Sequence, residues 1–234
     1  MRKVIDVLRR VGADAEPYHQ RFVFETDDAR ATVATALTEL NERADLRDED
    51  GAPAAPIRWE SSCLQRRCGA CAMVIAGVPR LACDTRLADL KGEVVRLEPL
   101  RTFPVVADLV VDRQAMLTGL RQATTWLEEA AELPERRWRV AYEASRCLQC
   151  GLCLEVCPNY SAAGAFGGMA QMASLARLLA EAEPSERPRL AKAYRDRVYA
   201  GCGTSLACRE VCPASLDIDA LLSRSNAAVL WRRW

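Results

Sequence analysis

Hydrophobic positions occur in short β-branched runs near the start of the chain and shift to helical spacing in its second half. Residues 4–11 and 18–24 are rich in β-branched or aromatic side chains, with a turn at 12–17 between them. Two strands are expected, although Val4, Val7, Leu8 and Val11 also suit one face of a helix. Over residues 29–46 apolar side chains fall at Ala29, Val33, Ala36, Leu37, Leu40 and Ala44. Thr26-Asp27-Asp28 precede them as capping residues, which predicts a helix. Residues 48–53 form a loop, and 72–75 and 93–97 read as further strands. Two strands, a helix, a cysteine-rich loop and more strands make a small α+β domain.

The pattern changes after Pro104. Residues 117–127, 140–146, 168–182 and 189–199 have helical periodicity, with cysteine-bearing loops between them. A boundary near 105 follows, giving domains 1–105 and 106–234. The cysteines up to Cys83 belong to the first domain and the rest to the second. The two sets do not share a spacing, so the chain is no simple duplication.

Composition narrows the function. Lys plus Arg and Asp plus Glu both number 32, and aromatic residues make up 6%. Neither a polyanion-binding charge nor a base-stacking platform is present, so no nucleic-acid partner is expected. Arg2, Lys3, Asp6, Arg9 and Arg10 interrupt the first eleven residues, which leaves no apolar core for a signal peptide. No run approaches the roughly 18–20 apolar residues of a membrane span. The expectation is a cytoplasmic chain. Eleven cysteines are an odd number for a disulfide framework, and a reducing compartment favours metal ligation.

Cys63, Cys68, Cys71 and Cys83 follow the C-x4-C-x2-C…C spacing of plant-type 2Fe–2S sites. A compact loop aims three thiolates at one rhomb, and a distant strand supplies the fourth. Gly69 leaves space for backbone beside the cluster. A zinc knuckle is the alternative, since the first gap does not by itself decide between them. Cys147, Cys150, Cys153 and Cys157, followed by Pro158, form the bacterial ferredoxin run, whose fourth cysteine ligates the other cluster. Cys202, Cys208 and Cys212, followed by Pro213, form a second run. Overlaid from their Cys-Pro ends, the runs place Ser205 opposite Cys150.

The crossing rule then gives Cys147, Cys150, Cys153 and Cys212 to a 4Fe–4S cluster. Cys157, Cys202 and Cys208 hold the other, with a corner at Ser205 that lacks a thiolate. An iron without a cysteine ligand is readily lost, so this cluster is expected to be 3Fe–4S. Serine as an alkoxide ligand is the lesser reading, because of its high pKa. The three sets use every cysteine.

Residues 59–87, 103–112, 147–160 and 202–213 resemble the iron–sulfur subunits of succinate dehydrogenase and fumarate reductase, in family order along nearly the whole chain. The resemblance implies an N-terminal β-grasp plant-type 2Fe–2S ferredoxin domain followed by an all-α, bacterial-ferredoxin-like domain. It also implies a flavoprotein partner with covalent FAD, which interconverts succinate and fumarate. Electrons would pass through 2Fe–2S, 4Fe–4S and 3Fe–4S to a quinone at a membrane anchor, which in some members carries haem b. The chain would be peripheral, on the cytoplasmic face of the membrane. No substrate chemistry would occur on it. Pro158, Asn159 and Tyr160 would lie near the quinone.

Two positions depart from the family. Arg66 stands where glycine is usual, so the backbone must do without glycine's freedom. With Arg67 it either places positive charge beside an anionic cluster, favouring reduction, or faces solvent or the flavoprotein. Gly203 and Ala162 replace the histidine and tryptophan of ubiquinone-linked members, which leans toward menaquinone. His19, the sole histidine, is assigned a surface or packing role. Residues 231–234, Trp-Arg-Arg-Trp, suit either an interfacial anchor or a plain terminal tail. The competing functions are the same module serving another flavoprotein, of glycolate or heterodisulfide type, and a zinc-organised interaction module.

Overall fold

In the computed structural model, which describes residues 1–129 and 132–231, the first apolar run is a strand. β1 (Arg2–Arg9) pairs antiparallel with β2 (Tyr18–Glu25) and parallel with β5 (Val94–Glu98). Flanked on both edges, β1 is buried at nearly every position. Its apolar residues therefore do not alternate, which is why they also fitted a helical face. β3 (Ala72–Ile75) joins β5 to β4 (Val78–Leu81), completing the order β2-β1-β5-β3-β4. β4 escaped the pattern because Pro79 interrupts it. Proline is tolerated on such an edge strand.

α1 is Val33–Asn41, shorter than the predicted 29–46. Thr32 and Thr35 form its capping box. The Ala31 carbonyl accepts from the Leu87 amide and the Val33 amide donates to Thr85, so the chain before Thr32 is held extended. The helix buries Val33, Ala36, Leu37 and Leu40.

The chain divides into two compact units, Met1–Asp112 and Arg113–Trp234, rather than at residue 105. The reason is a small hairpin, β6 (Val105–Ala107) and β7 (Val110–Val111), with Asp108 at its turn. The buried Asp108 carboxylate accepts from the Arg10 and Arg58 amides, each at 2.9 Å, and lies 3.0 Å from the Arg9 guanidinium. Those bonds hold the hairpin to the first unit.

The second unit is helical among its described residues: α2 (Gln114–Gln122), α3 (Glu135–Ser145), α4 (Leu152–Glu155), α5 (Gly168–Glu181), α6 (Arg187–Tyr194), α7 (Ala207–Glu210) and α8 (Ile218–Trp231). The expected helix 189–199 is α6 continued by a π-helical turn, Arg195–Tyr199. α3 starts earlier than expected, with Pro134 at its N-cap, where a missing N–H costs nothing. α5 is central and buries Met172, Leu175, Ala176 and Leu179 in a core shared with Tyr194, Leu221 and Val229. Of the terminal stretch, Arg232, Arg233 and Trp234 lie outside the described residues. No helix among the described residues is long and apolar enough to cross a membrane.

Candidate metal centres

All eleven cysteines are free thiols. In the first unit the loop before β3 turns its backbone amides onto sulfur. Gln65 and Arg67 donate to Cys63 Sγ at 3.3 and 3.2 Å, Arg66 donates to Cys83 Sγ at 3.3 Å, and Cys63 donates to Cys68 Sγ at 3.5 Å. Left-handed residues at Leu64, Arg66 and Gly69 (φ 52°, 59° and 76°) fold the loop this way. Successive amides so arranged form an anion-binding concavity. The Gln65 and Arg67 amides, with the neighbouring Cys68, hold the Cys63 thiol down to about 7. Burial at the head of β3 pushes Cys71 up; the backbone amides of Cys83 and Ala82 oppose this and the Cys83 thiol adds to it. The β3–β4 hairpin pairs Ala72 with Leu81, which brings Cys83, in the turn Ala82–Asp84, back to Cys71.

Arg66, at the position where glycine was expected, adopts the conformation glycine would favour. This costs a non-glycine residue about 1–2 kcal/mol. Its guanidinium meets Asp84, with Nε 3.3 Å from Oδ2 and Nη1 3.4 Å from Oδ1. Both side chains are nearly half exposed, at 46% and 40%. Such a pair contributes about 0–1 kcal/mol, less than the backbone costs. Asp84 was missed in the sequence, where its position directly after Cys83 was the available signal.

In the second unit the cysteines line two cavities. Cys147, Cys150, Cys153 and Cys212 line one, with Gly151, Met169 and Ile218. Cys157, Cys202 and Cys208 line the other, with Cys153, Ser205, Phe166 and Met172. Cys153 lies in the wall between them. Burial pushes Cys147, Cys150, Cys153 and Cys208 up, and the charges of neighbouring cysteines add to it: Cys212 acts on the first three, and Cys157 and Cys202 on Cys208. Among the described residues no three His, Cys, Asp or Glu side chains converge on a single-ion site. The thiols instead surround volumes, which is the arrangement a polynuclear cluster fits. Thiolate donors in apolar walls also match the soft-ligand chemistry of iron and sulfide. Gln149 Nε2 reaches Cys147 Sγ at 3.5 Å, a further donor that sequence reading did not single out.

The two cysteine runs share a backbone. Gln149 and Gly151 are left-handed (φ 52° and 85°), as are Thr204 and Leu206 (53° and 58°) at the overlaid positions. Gly151 caps α4 and Leu206 caps α7, helices of equal length. Leu154 N donates to Gly151 O and Arg209 N to Leu206 O, both at 2.9 Å. Ser205 therefore occupies the backbone step of Cys150, but it is exposed where Cys150 is buried.

Asn159 Nδ2 donates to Gly201 O at 2.7 Å and is thereby held against Gly203, where an added Cβ would meet it at 3.0 Å. Pro158 is exposed. Tyr160 is half-buried, and its hydroxyl pKa is raised by burial and then by Cys153. Tyr160 and Ala162 line a separate cavity with Gln122, Gln171 and Arg197. His19 is an exposed residue of β2, 3.1 Å from the buried Asp6 carboxylate, and belongs to none of these centres.

A family model for a 2Fe-2S iron-sulfur cluster binding domain matches residues 4–118, and one for a 4Fe-4S dicluster domain matches residues 143–216. The succinate dehydrogenase iron-sulfur subunit of Bacillus subtilis is 34% identical over 232 residues, spanning 94% of this chain and 89% of that protein. The chain belongs to the succinate dehydrogenase and fumarate reductase iron–sulfur subunit family. The fumarate reductase iron-sulfur subunit of Wolinella succinogenes is 29% identical over 90% of this chain and 89% of its own length. A chain in the Mycobacterium smegmatis Sdh1 complex in the apo form has the same fold, with a TM-score of 0.80 at 23% identity over 99% of this chain and 97% of that one. As a member of this family, the chain is the iron–sulfur electron-transfer subunit of an oxidoreductase complex. Its 2Fe–2S domain precedes a 4Fe–4S dicluster domain.

Proposed function

We propose that the chain relays electrons between a flavoprotein subunit carrying FAD and a membrane quinone, in a succinate:quinone or quinol:fumarate oxidoreductase. Cys63, Cys68, Cys71 and Cys83 hold a 2Fe–2S cluster. Cys147, Cys150, Cys153 and Cys212 hold 4Fe–4S, and Cys157, Cys202 and Cys208 hold 3Fe–4S. The observation that carries this reading is the grouping of the helical unit's thiols around two cavities, with Ser205 at the backbone step where the other run has Cys150. When bound, the clusters supply three one-electron carriers between a two-electron flavin and a two-electron quinone. The chain's own part is to fix the thiolates, offset their charge with the amides of residues 65–67 and with Gln149, and exclude water from the cavities.

The chain sits peripherally on the cytoplasmic face of the membrane, held by an anchor that can carry haem b. Menaquinone is favoured at the quinone end. Asn159 crowds Gly203, so a histidine there would have to displace it. Ala162 leaves open a cavity that a tryptophan would fill. Pro158, Asn159 and Tyr160 follow a ligand of the terminal cluster and so stand nearest the quinone.

Anaerobically purified complex tests the assignment. About nine irons per chain are expected, together with the paramagnetic signal of an oxidised 3Fe centre. About eight irons without that signal would overturn the 3Fe–4S assignment. The copurifying flavoprotein should oxidise succinate; one that oxidises glycolate would point to the alternative complex.

A further inference from the structure

We propose that Arg66 and Asp84 form a charge-balanced clasp that sets the reduction potential of the cluster in the first unit. The inference rests on the reading that Cys63, Cys68, Cys71 and Cys83 hold a 2Fe–2S cluster. Arg66 reaches the segment of the fourth thiol with both of its ends. Its amide donates to Cys83 Sγ at 3.3 Å, and its guanidinium takes both carboxylate oxygens of Asp84, the next residue along.

The half-exposed ion pair by itself returns less than the left-handed backbone costs; what it supplies beside the cluster is opposed charge. Four thiolates leave the cluster anionic, and an unbalanced guanidinium at this position would favour the form with one more electron. Asp84 opposes it from beside the ligand itself. The loop thus carries a cation at its glycine position with a carboxylate set against it. Arg66 has a carboxylate partner in Asp84 while its side chain stays nearly half exposed.

The clasp makes each charge visible when its partner is removed. In the purified complex at low ionic strength, the midpoint of the reduced 2Fe–2S paramagnetic signal should shift up in Asp84→Asn and down in Arg66→Gly. The double variant should fall between the two. Added salt should shrink both single shifts, because the pair is half exposed. Glycine suits the backbone at 66, so the loop keeps its path. Arg66→Gln, with the bulk retained and the charge lost, gives the same reading if the glycine variant assembles poorly.

Equal midpoints in all variants would overturn the clasp. So would single variants that both shift the same way, which would indicate distortion of the loop instead of charge. A wild type with no reduced 2Fe–2S signal is a different failure. It would refute the ligand assignment beneath the proposal.

Discussion

Cys150 and Ser205 occupy the same step of a repeated backbone, and the difference between a thiol and a hydroxyl there separates the two cavities of the helical unit. Ser205 lines the cavity of Cys157, Cys202 and Cys208 although it is exposed, so Ser205→Cys, once its sulfur turns inward, should complete the corner and convert the proposed 3Fe–4S centre to 4Fe–4S. The oxidised-state paramagnetic signal should vanish, and the potential should fall, since cluster type and charge set it. Quinone turnover should slow with it. A wild-type site that already holds four irons and keeps them on oxidation would defeat the expectation. At the unit boundary, Asp108 is a residue of another kind, with a structural task. Asp108→Ala would leave two backbone amides and the buried Arg9 guanidinium without their carboxylate. Breaking a buried pair from one side costs about 3–5 kcal/mol. The apparent melting temperature should drop by about 10 °C, and an unchanged value would contradict this account.

Short elements position the cavity walls. α4 and α7 each follow a left-handed residue, and neither is long enough to show a helical period. Only the overlay of the Cys-Pro ends hinted at them. The start of α5 is packed against α4 so closely that Gly168, at φ +59°, leaves 2.4 Å between an added Cβ and Leu154 Cδ2. Gly168→Ala combines a left-handed penalty of about 1–2 kcal/mol with overpacking of about 1–3 kcal/mol. Thermal unfolding of the variant should show an apparent melting temperature several degrees lower. Gly12→Ala, where an added Cβ meets nothing within 4 Å, should stay within about 0.5 kcal/mol of wild type. Equal losses at both sites would discredit the packing argument.

At the scale of the whole chain, the proposed relay has the plant-type domain, which comes first in sequence, taking electrons from the flavoprotein. Cys68→Ala should disrupt the first centre and abolish succinate–quinone turnover. Succinate oxidation by a dye that accepts electrons at the flavin should persist where the complex assembles. Wild-type quinone turnover in the variant would reverse this order of centres.

The two cluster-binding domains were legible in the linear chain because thiols on one short loop must keep fixed separations to meet a cluster. The same holds for the family and for the α+β then all-α order, carried by cysteine runs and by a change of hydrophobic period. Other features depended on contacts between residues distant in sequence. The extent of α1 was decided by the pairing of residues 31–33 with 85–87, and the seven-residue shift of the boundary by Asp108 reaching back to Arg9, Arg10 and Arg58. Arg66 appeared in the sequence as an anomaly at a glycine position. Its meaning came from Asp84, which the β3–β4 hairpin carries to it. Local spacing constrains what a loop can bind, whereas partners brought together by sheet pairing and burial exist only once the chain has folded.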